Sequence, residues 1–168
     1  MSKIISFTGH RPPRLEMFGK PYSDEQFKAL VKYFKSKLID MNDIKLAYTG
    51  CALGSDSAMA VSCVDLSIPI ISCVPFVGYE SRWFNPKDVE RFNYLLDFSK
   101  DVVFVDEELK LSPKISKNAK NIIRDKYMVD NSELLIAMYD GNPEGGTYKT
   151  ITYAESKNKP VINWLTSP

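Results

Sequence analysis

Leu134-Leu135-Ile136-Ala137-Met138-Tyr139 runs straight into Asp140-Gly141-Asn142-Pro143-Glu144-Gly145-Gly146-Thr147, and this junction decides the fold class. The apolar run reads as a strand within a βαβ pattern. The glycine-bearing turn that follows leads into a segment of helical period. Two earlier junctions repeat the pattern: Ile4-Ile5-Ser6-Phe7 into Thr8-Gly9-His10-Arg11-Pro12, and the strand 44–48 into Thr49-Gly50-Cys51-Ala52-Leu53-Gly54-Ser55-Asp56. In a parallel α/β sheet all such turns fall at the carboxyl edge, where ligands of these sheets bind. Helix N-termini there favour an anion, typically phosphate.

Working outward, apolar runs alternate with helical segments along the whole chain. Ser23-Asp24-Glu25-Gln26 reads as a capped helix start, and Phe27, Leu30, Val31, Phe34, Leu38 and Met41 mark one apolar face. A helix is expected from Ser55 through Leu66 and a buried strand from Pro69 to Val74. Phe76 to Asn85 is irregular and aromatic, and serves either to stack on a base or to cover the sheet end. A helix opens at Pro86 and ends near Ser99, and Asp101 to Val105 is a strand. Residues 106–116 read as an exposed loop. A helix over 118–131 precedes the strand at 134–139, a last helix runs to about Asn158, and Lys159 to Trp164 closes the sheet. The expectation is one Rossmann-like, doubly wound domain over residues 1–168, with a mostly parallel sheet and helices on both faces.

Bulk composition narrows the function classes. At 168 residues, 44% hydrophobic and 12% aromatic, the chain has the makings of a packed core. A net charge of +1 supplies no global attraction for nucleic acid. No apolar run approaches a membrane span, and the start lacks a signal-peptide pattern. Cys51, Cys63 and Cys73 show neither metal-ligand spacing nor an even disulfide framework, and a single histidine argues against zinc. Neither a metal nor a cofactor is expected, and a reducing cytoplasm is the expected location.

The turns contain the candidate site residues. Gly50 lets backbone approach a ligand, and Gly54 lets the following helix pack closely. The spacing matches neither the dinucleotide GxGxxG nor the phosphate-loop pattern, since no lysine follows. Asp56 reads first as a helix cap and second as an acceptor for ribose hydroxyls. Arg11 offers a planar fork for phosphate oxygens, and His10 a donor or proton shuttle. Arg124 reads as an ordinary surface arginine by its local context. Lys114, Lys117, Lys120, Arg124 and Lys126 form a basic run, which at this spacing is usually a solvated helix face.

Taken together, Thr8-Gly9-His10-Arg11-Pro12, Gly50 to Asp56, Val74-Pro75-Phe76 with Trp83, Arg124 to Met128, and Gly145-Gly146-Thr147 with Ala154 resemble the SLOG superfamily. Within it the pattern is most similar to the YpsA-like branch. The resemblance implies a Rossmann-like domain, often a homo-oligomer, that binds a nucleotide-derived small molecule, such as an NAD or ADP-ribose type of signal. The implied ligand-binding set is Thr8, Gly9, His10, Arg11, Gly50, Gly54, Asp56, Arg124, Gly145, Gly146 and Thr147. Enzymes of the LOG-like branch cleave N-glycosidic bonds of nucleoside monophosphates with a glutamate in a PGGxGTxxE element and an upstream arginine. Arg124 matches that arginine, but Thr150 stands where the glutamate would be, and a threonine cannot stabilise oxocarbenium charge. Asp140, Glu144 and Asp56 are the candidates to replace it. DprA-like members bind single-stranded DNA, a partner that the balanced charge disfavours here.

Overall fold

The computed structural model describes residues 2–10, 16–17, 20–21 and 23–165. Lys3–Gly9 forms β1, and a two-residue pairing of β2 (Glu16–Met17) with β3 (Lys20–Pro21) follows. The alternation then runs α1 (Asp24–Met41), β4 (Ile44–Thr49), α2 (Ser55–Asp65), β5 (Ile70–Val74), α3 (Pro86–Asp97) and β6 (Asp101–Phe104). It continues through α4 (Val105–Glu108), α5 (Lys117–Asp130), β7 (Leu134–Met138), α6 (Gly145–Ser156) and β8 (Val161–Asn163).

The main sheet has six strands in the order β6-β5-β4-β1-β7-β8, and every pairing in it is parallel. The chain builds outward from β1 on one side, then crosses to the other side at β7. Strand order therefore reverses between β1 and β7, and in open α/β sheets a crevice opens at the carboxyl ends of such a pair.

Strand periodicity sorts the core into two layers, because successive side chains point to opposite faces. From β7, Leu134, Ile136 and Met138 join a large cluster with Ile5, Phe7, Phe34, Met59 and Trp164. Leu135 and Ala137 face the other way, onto Val129, Ile151 and Ala154. Cys73, Val105 and Met128 extend that second layer. Helices α1, α2 and α3 thus cover one face, and α4, α5 and α6 the other.

The helix starts follow the sequence signals. The Ser23 hydroxyl accepts from the Gln26 N–H, Asn85 accepts from Lys87 ahead of a helix with Pro86 at its first position, and Ser116 accepts from Ala119. Two expectations need correction. The strand at 101 stops at Phe104, because Val105 is fully buried as the opening of the short helix α4. The stretch 106–116 is consequently not all exposed loop: Asp106 is half-buried and accepts from Lys120 at 3.0 Å. Among the described residues no helix is long and apolar enough to cross a membrane.

Candidate functional site

At the carboxyl edge of β1 and β7 lies a cavity of about 410 Å³. It gathers Thr8, Gly9 and His10 after β1, Ala52 and Asp56 after β4, and Gly145, Gly146 and Thr147 at the start of α6. The remaining wall is α5, through Asn118, Asn121, Ile122, Arg124 and Asp125, with Lys149 at the rim. Arg11 lies outside the described residues. Gly50 and Gly54 belong to the turn behind the wall and are not part of the lining.

The β1 turn is held from two sides. Ser55, the first residue of α2, donates to the His10 carbonyl through its hydroxyl at 3.0 Å and its N–H at 3.3 Å. On the β7 side the Asp140 N–H donates to His10 Nε2 at 3.1 Å, and the Asp140 carboxylate is 3.2 Å from the same nitrogen. A neutral imidazole accepts from that backbone group, whereas an imidazolium donates to the carboxylate. Asp140 thus sits behind the histidine and does not line the cavity. Glu144 is the cap residue of α6, accepts from Asn142 at 3.2 Å and is likewise outside the lining. Of the candidate carboxylates, Asp56 alone reaches it.

Asp56 is not the cap of α2. Gly54 holds that position with φ 86°, and Asp56 lies inside the first turn, largely buried. A Cβ built on Gly50 would lie 2.9 Å from both the Asp56 carboxylate and the Arg124 guanidinium, so the two charges crowd one point on the glycine.

Arg124 is not a surface residue: it is 2% exposed. Its Nη1 donates to the carbonyls of Gly50 at 2.6 Å and Cys73 at 3.3 Å, and its Nε donates to Asp125 Oδ1 at 2.7 Å. The Tyr79 ring stands 5.6 Å away. Burial alone would lower its pKa, but Asp125, Tyr79 and Asp56 outweigh that and push it upward, so the cation is permanent. Arg124 therefore clips α5 to the ends of β4 and β5 while presenting charge to the cavity.

Thr150 is buried on α6, and its hydroxyl donates to the Gly146 carbonyl at 2.8 Å and stands 3.4 Å from Asp125 Oδ2. Asn121 Oδ1 is buried and has no hydrogen-bond partner among the described residues. Such an orphan acceptor costs about 1–3 kcal/mol unless a donor reaches it. Asp125, Asn121, Asn118 and Lys149 went unrecognised as site residues in the sequence. The one available signal was that Asn118, Asn121 and Asp125 recur at helical spacing with the arginine beside them.

The aromatic stretch resolves in favour of covering the sheet. Phe76 packs edge-on against Tyr79, Tyr79 against Trp83 and Trp83 against Phe92, whereas Phe84 stands fully exposed. The part of the basic run that lies on α5 is likewise engaged. Lys120 pairs with Asp106, Lys117 and Lys120 lie over the Phe76 ring, and Lys126 lies over Tyr153.

No family model matches the chain. Two solved structures share its fold across 95% of its length, each at 14% identity. TM1055 superposes with a TM-score of 0.55, the match covering 72% of it. DNA processing protein A (DprA) from Streptococcus pneumoniae superposes with a TM-score of 0.61, and the chain spans 49% of that protein. At that identity the likeness shows the shared Rossmann-like fold. In sequence, the chain is 31% identical over 118 residues to the uncharacterized SPbeta prophage-derived protein YoqJ of Bacillus subtilis (strain 168), spanning 64% of this chain and 67% of YoqJ. On that identity, the chain belongs to the same family as YoqJ.

Proposed function

We propose that the chain binds a nucleotide-derived small molecule in the cavity between β1, α5 and α6. The observation that carries this reading is the contrast among helix starts. Of the helices longer than one turn, α1, α3 and α5 have a side-chain cap, whereas α2 and α6 have none. At α2 the Ser55 and Ser57 N–H groups already donate to the His10 and Ala52 carbonyls. That leaves α6, whose Gly145, Gly146 and Thr147 line the cavity, as the open start. First-turn N–H groups need acceptors, and the positive end of a helix selects an anionic one. The α6 start offers Gly145, Gly146 and Thr147 for phosphate, with Lys149 adding positive charge. Thr8, Gly9 and His10 close the cavity from β1, and Arg11 joins them by its place in the sequence. The orphan carbonyl of Asn121 calls for an N–H donor such as an exocyclic amine of a base. We place the protein in a reducing cytoplasm, and as a homo-oligomer, on the resemblance and on its buried free thiols.

DprA's name invites a nucleic-acid reading. The engaged lysines of α5 weigh against it, because a strand-binding groove needs a free basic track with stacking rings.

The test is incubation of stoichiometric protein with nucleoside monophosphates, ADP-ribose species and nicotinamide dinucleotides, followed by mass spectrometry of bound and free fractions. An intact compound recovered only with the protein is the expected result. Free base plus sugar phosphate would show cleavage, and recovery of no compound from the panel would sink the proposal. Arg11→Ala should weaken the bound compound by about 10- to 100-fold, as the loss of a charged hydrogen bond does. Unchanged affinity would remove Arg11 from the site.

A further inference from the structure

We propose that Asp125 is the ribose-reading group of this cavity, so that the site takes ribonucleotides in preference to deoxyribonucleotides. The inference rests on the nucleotide reading above and adds to it the sugar class and the residue that selects it. Thr150 stands on α6, and the structure brings the Asp125 carboxylate to within 3.4 Å of its hydroxyl from the opposite wall, on α5.

Asp125 lines the cavity, and its side chain keeps 21% exposure. Its Oδ1 is occupied by the 2.7 Å bond from Arg124 Nε. Its Oδ2 has the Thr150 hydroxyl at 3.4 Å, but that hydroxyl has one hydrogen and a far better acceptor in the Gly146 carbonyl at 2.8 Å. Oδ2 is thus an anionic acceptor held in a fixed orientation, with capacity for further donors. Arg124, clipped to the carbonyls of Gly50 and Cys73, fixes the rotamer from behind. Asp56, the other carboxylate of the lining, lies close against the guanidinium at Gly50.

Geometry then limits what Asp125 can recognise. An acceptor-only group selects a donor, and it stands on α5 across from the α6 start that takes phosphate. A second phosphate there would meet repulsion. The hydroxyl pair of a ribose that carries the phosphate on its 5′ oxygen is a neutral donor group that suits both walls. A carboxylate oxygen that accepts from ligand hydroxyls discriminates against the analogue that lacks them, because the bound ligand then shuts Oδ2 off from water without giving it a donor.

Calorimetric titration of the intact chain with adenosine 5′-monophosphate and its 2′-deoxy and 3′-deoxy forms tests this. For wild type, at least one deoxy form should bind about 10- to 100-fold more weakly than the ribonucleotide. In Asp125→Asn that gap should close to within about threefold, with deoxy affinity held near its wild-type value. Equal affinity of wild type for all three would overturn the inference and leave the nucleotide reading standing. So would a gap that persists in Asp125→Asn, or an equal fall for every ligand, which would make Asp125 only the partner of Arg124. The wild-type comparison needs no variant, so a failure of Asp125→Asn to fold does not protect the idea. If no nucleotide of any kind binds, both the inference and the underlying reading fail.

Discussion

At the scale of single residues, Gly50 and Gly146 make opposite demands. A Cβ on Gly50 meets the Arg124 Cζ and Nη1 and the Asp56 carboxylate, each at 2.9 Å, whereas one on Gly146 meets nothing within 4 Å. Arg124 cannot yield easily, since three hydrogen bonds fix it. Gly50→Ala is therefore expected to destabilise the protein by about 1–3 kcal/mol, and Gly146→Ala to leave it unchanged or slightly firmer. Equilibrium urea unfolding of both variants decides it: equal midpoints would show that Arg124 is free to move. Arg124→Met should cost more, about 3–5 kcal/mol, because it strands the carboxylates of Asp125 and Asp56 beside a vanished cation. These roles were only half legible. Gly50 is recognisable from its place after a strand, but local context makes Arg124 a surface residue. Its burial depends on carbonyls at positions 50 and 73, contributed by other strands, and no local period encodes that. Asp125 was hidden for the same reason, as its significance comes from Thr150 across the cavity.

At the scale of elements, the strand and helix alternation could be read directly because each segment carries its own periodicity, and the Ser23 cap and Pro86 mark their helix starts. What escaped were elements too short to have a period: the two-residue pairing of β2 with β3, and α4, which is a single turn seated by Val105. The α6 start offers a direct experiment. Glu144 already has the extended backbone of a cap residue, with φ −154° and ψ 160°, but makes no capping bond. Glu144→Ser should place a hydroxyl on the first-turn N–H groups and stabilise the protein by about 1 kcal/mol. The same bond competes with a bound anion, so phosphate affinity should fall as thermal stability rises. A rise in both would show that the α6 start does not take the ligand's phosphate. Ser116→Ala on α5 is the matching control, expected to lose about 1 kcal/mol by removing a cap bond of 3.1 Å.

At the scale of the whole molecule, the sheet's two covered faces give it a particular response to alkali. Cys51, Cys63 and Cys73 are all buried free thiols. Burial raises Cys51 to about 11, an effect that Asp56 reinforces, while Ser72, Arg124 and Thr49 oppose it. Burial raises Cys63 to about 12 and, against a partial offset from Arg124, Cys73 to about 12. In the unfolded chain each thiol returns to its ordinary value near 9.0. A folded pKa above the unfolded one means that the native state retains its protons while the unfolded chain releases them. This contribution to stability is complete below pH 9 and is lost as pH climbs toward 11 and 12. Each thiol removes at most about 1.4 kcal/mol per pH unit, so the three together should remove roughly 4 kcal/mol by pH 10. Tyr48 and Tyr127, also raised by burial, begin to add to the same trend only above their ordinary 10.0. Urea midpoints should be nearly flat from pH 7 to 8 and then fall steeply, and replacing the cysteines by alanine should flatten the curve. A wild-type midpoint that holds through pH 10 would mean that the thiols ionise as readily in the folded chain as in the unfolded one. That would contradict the dry, two-layered core on which the placement of the cavity at the sheet edge depends.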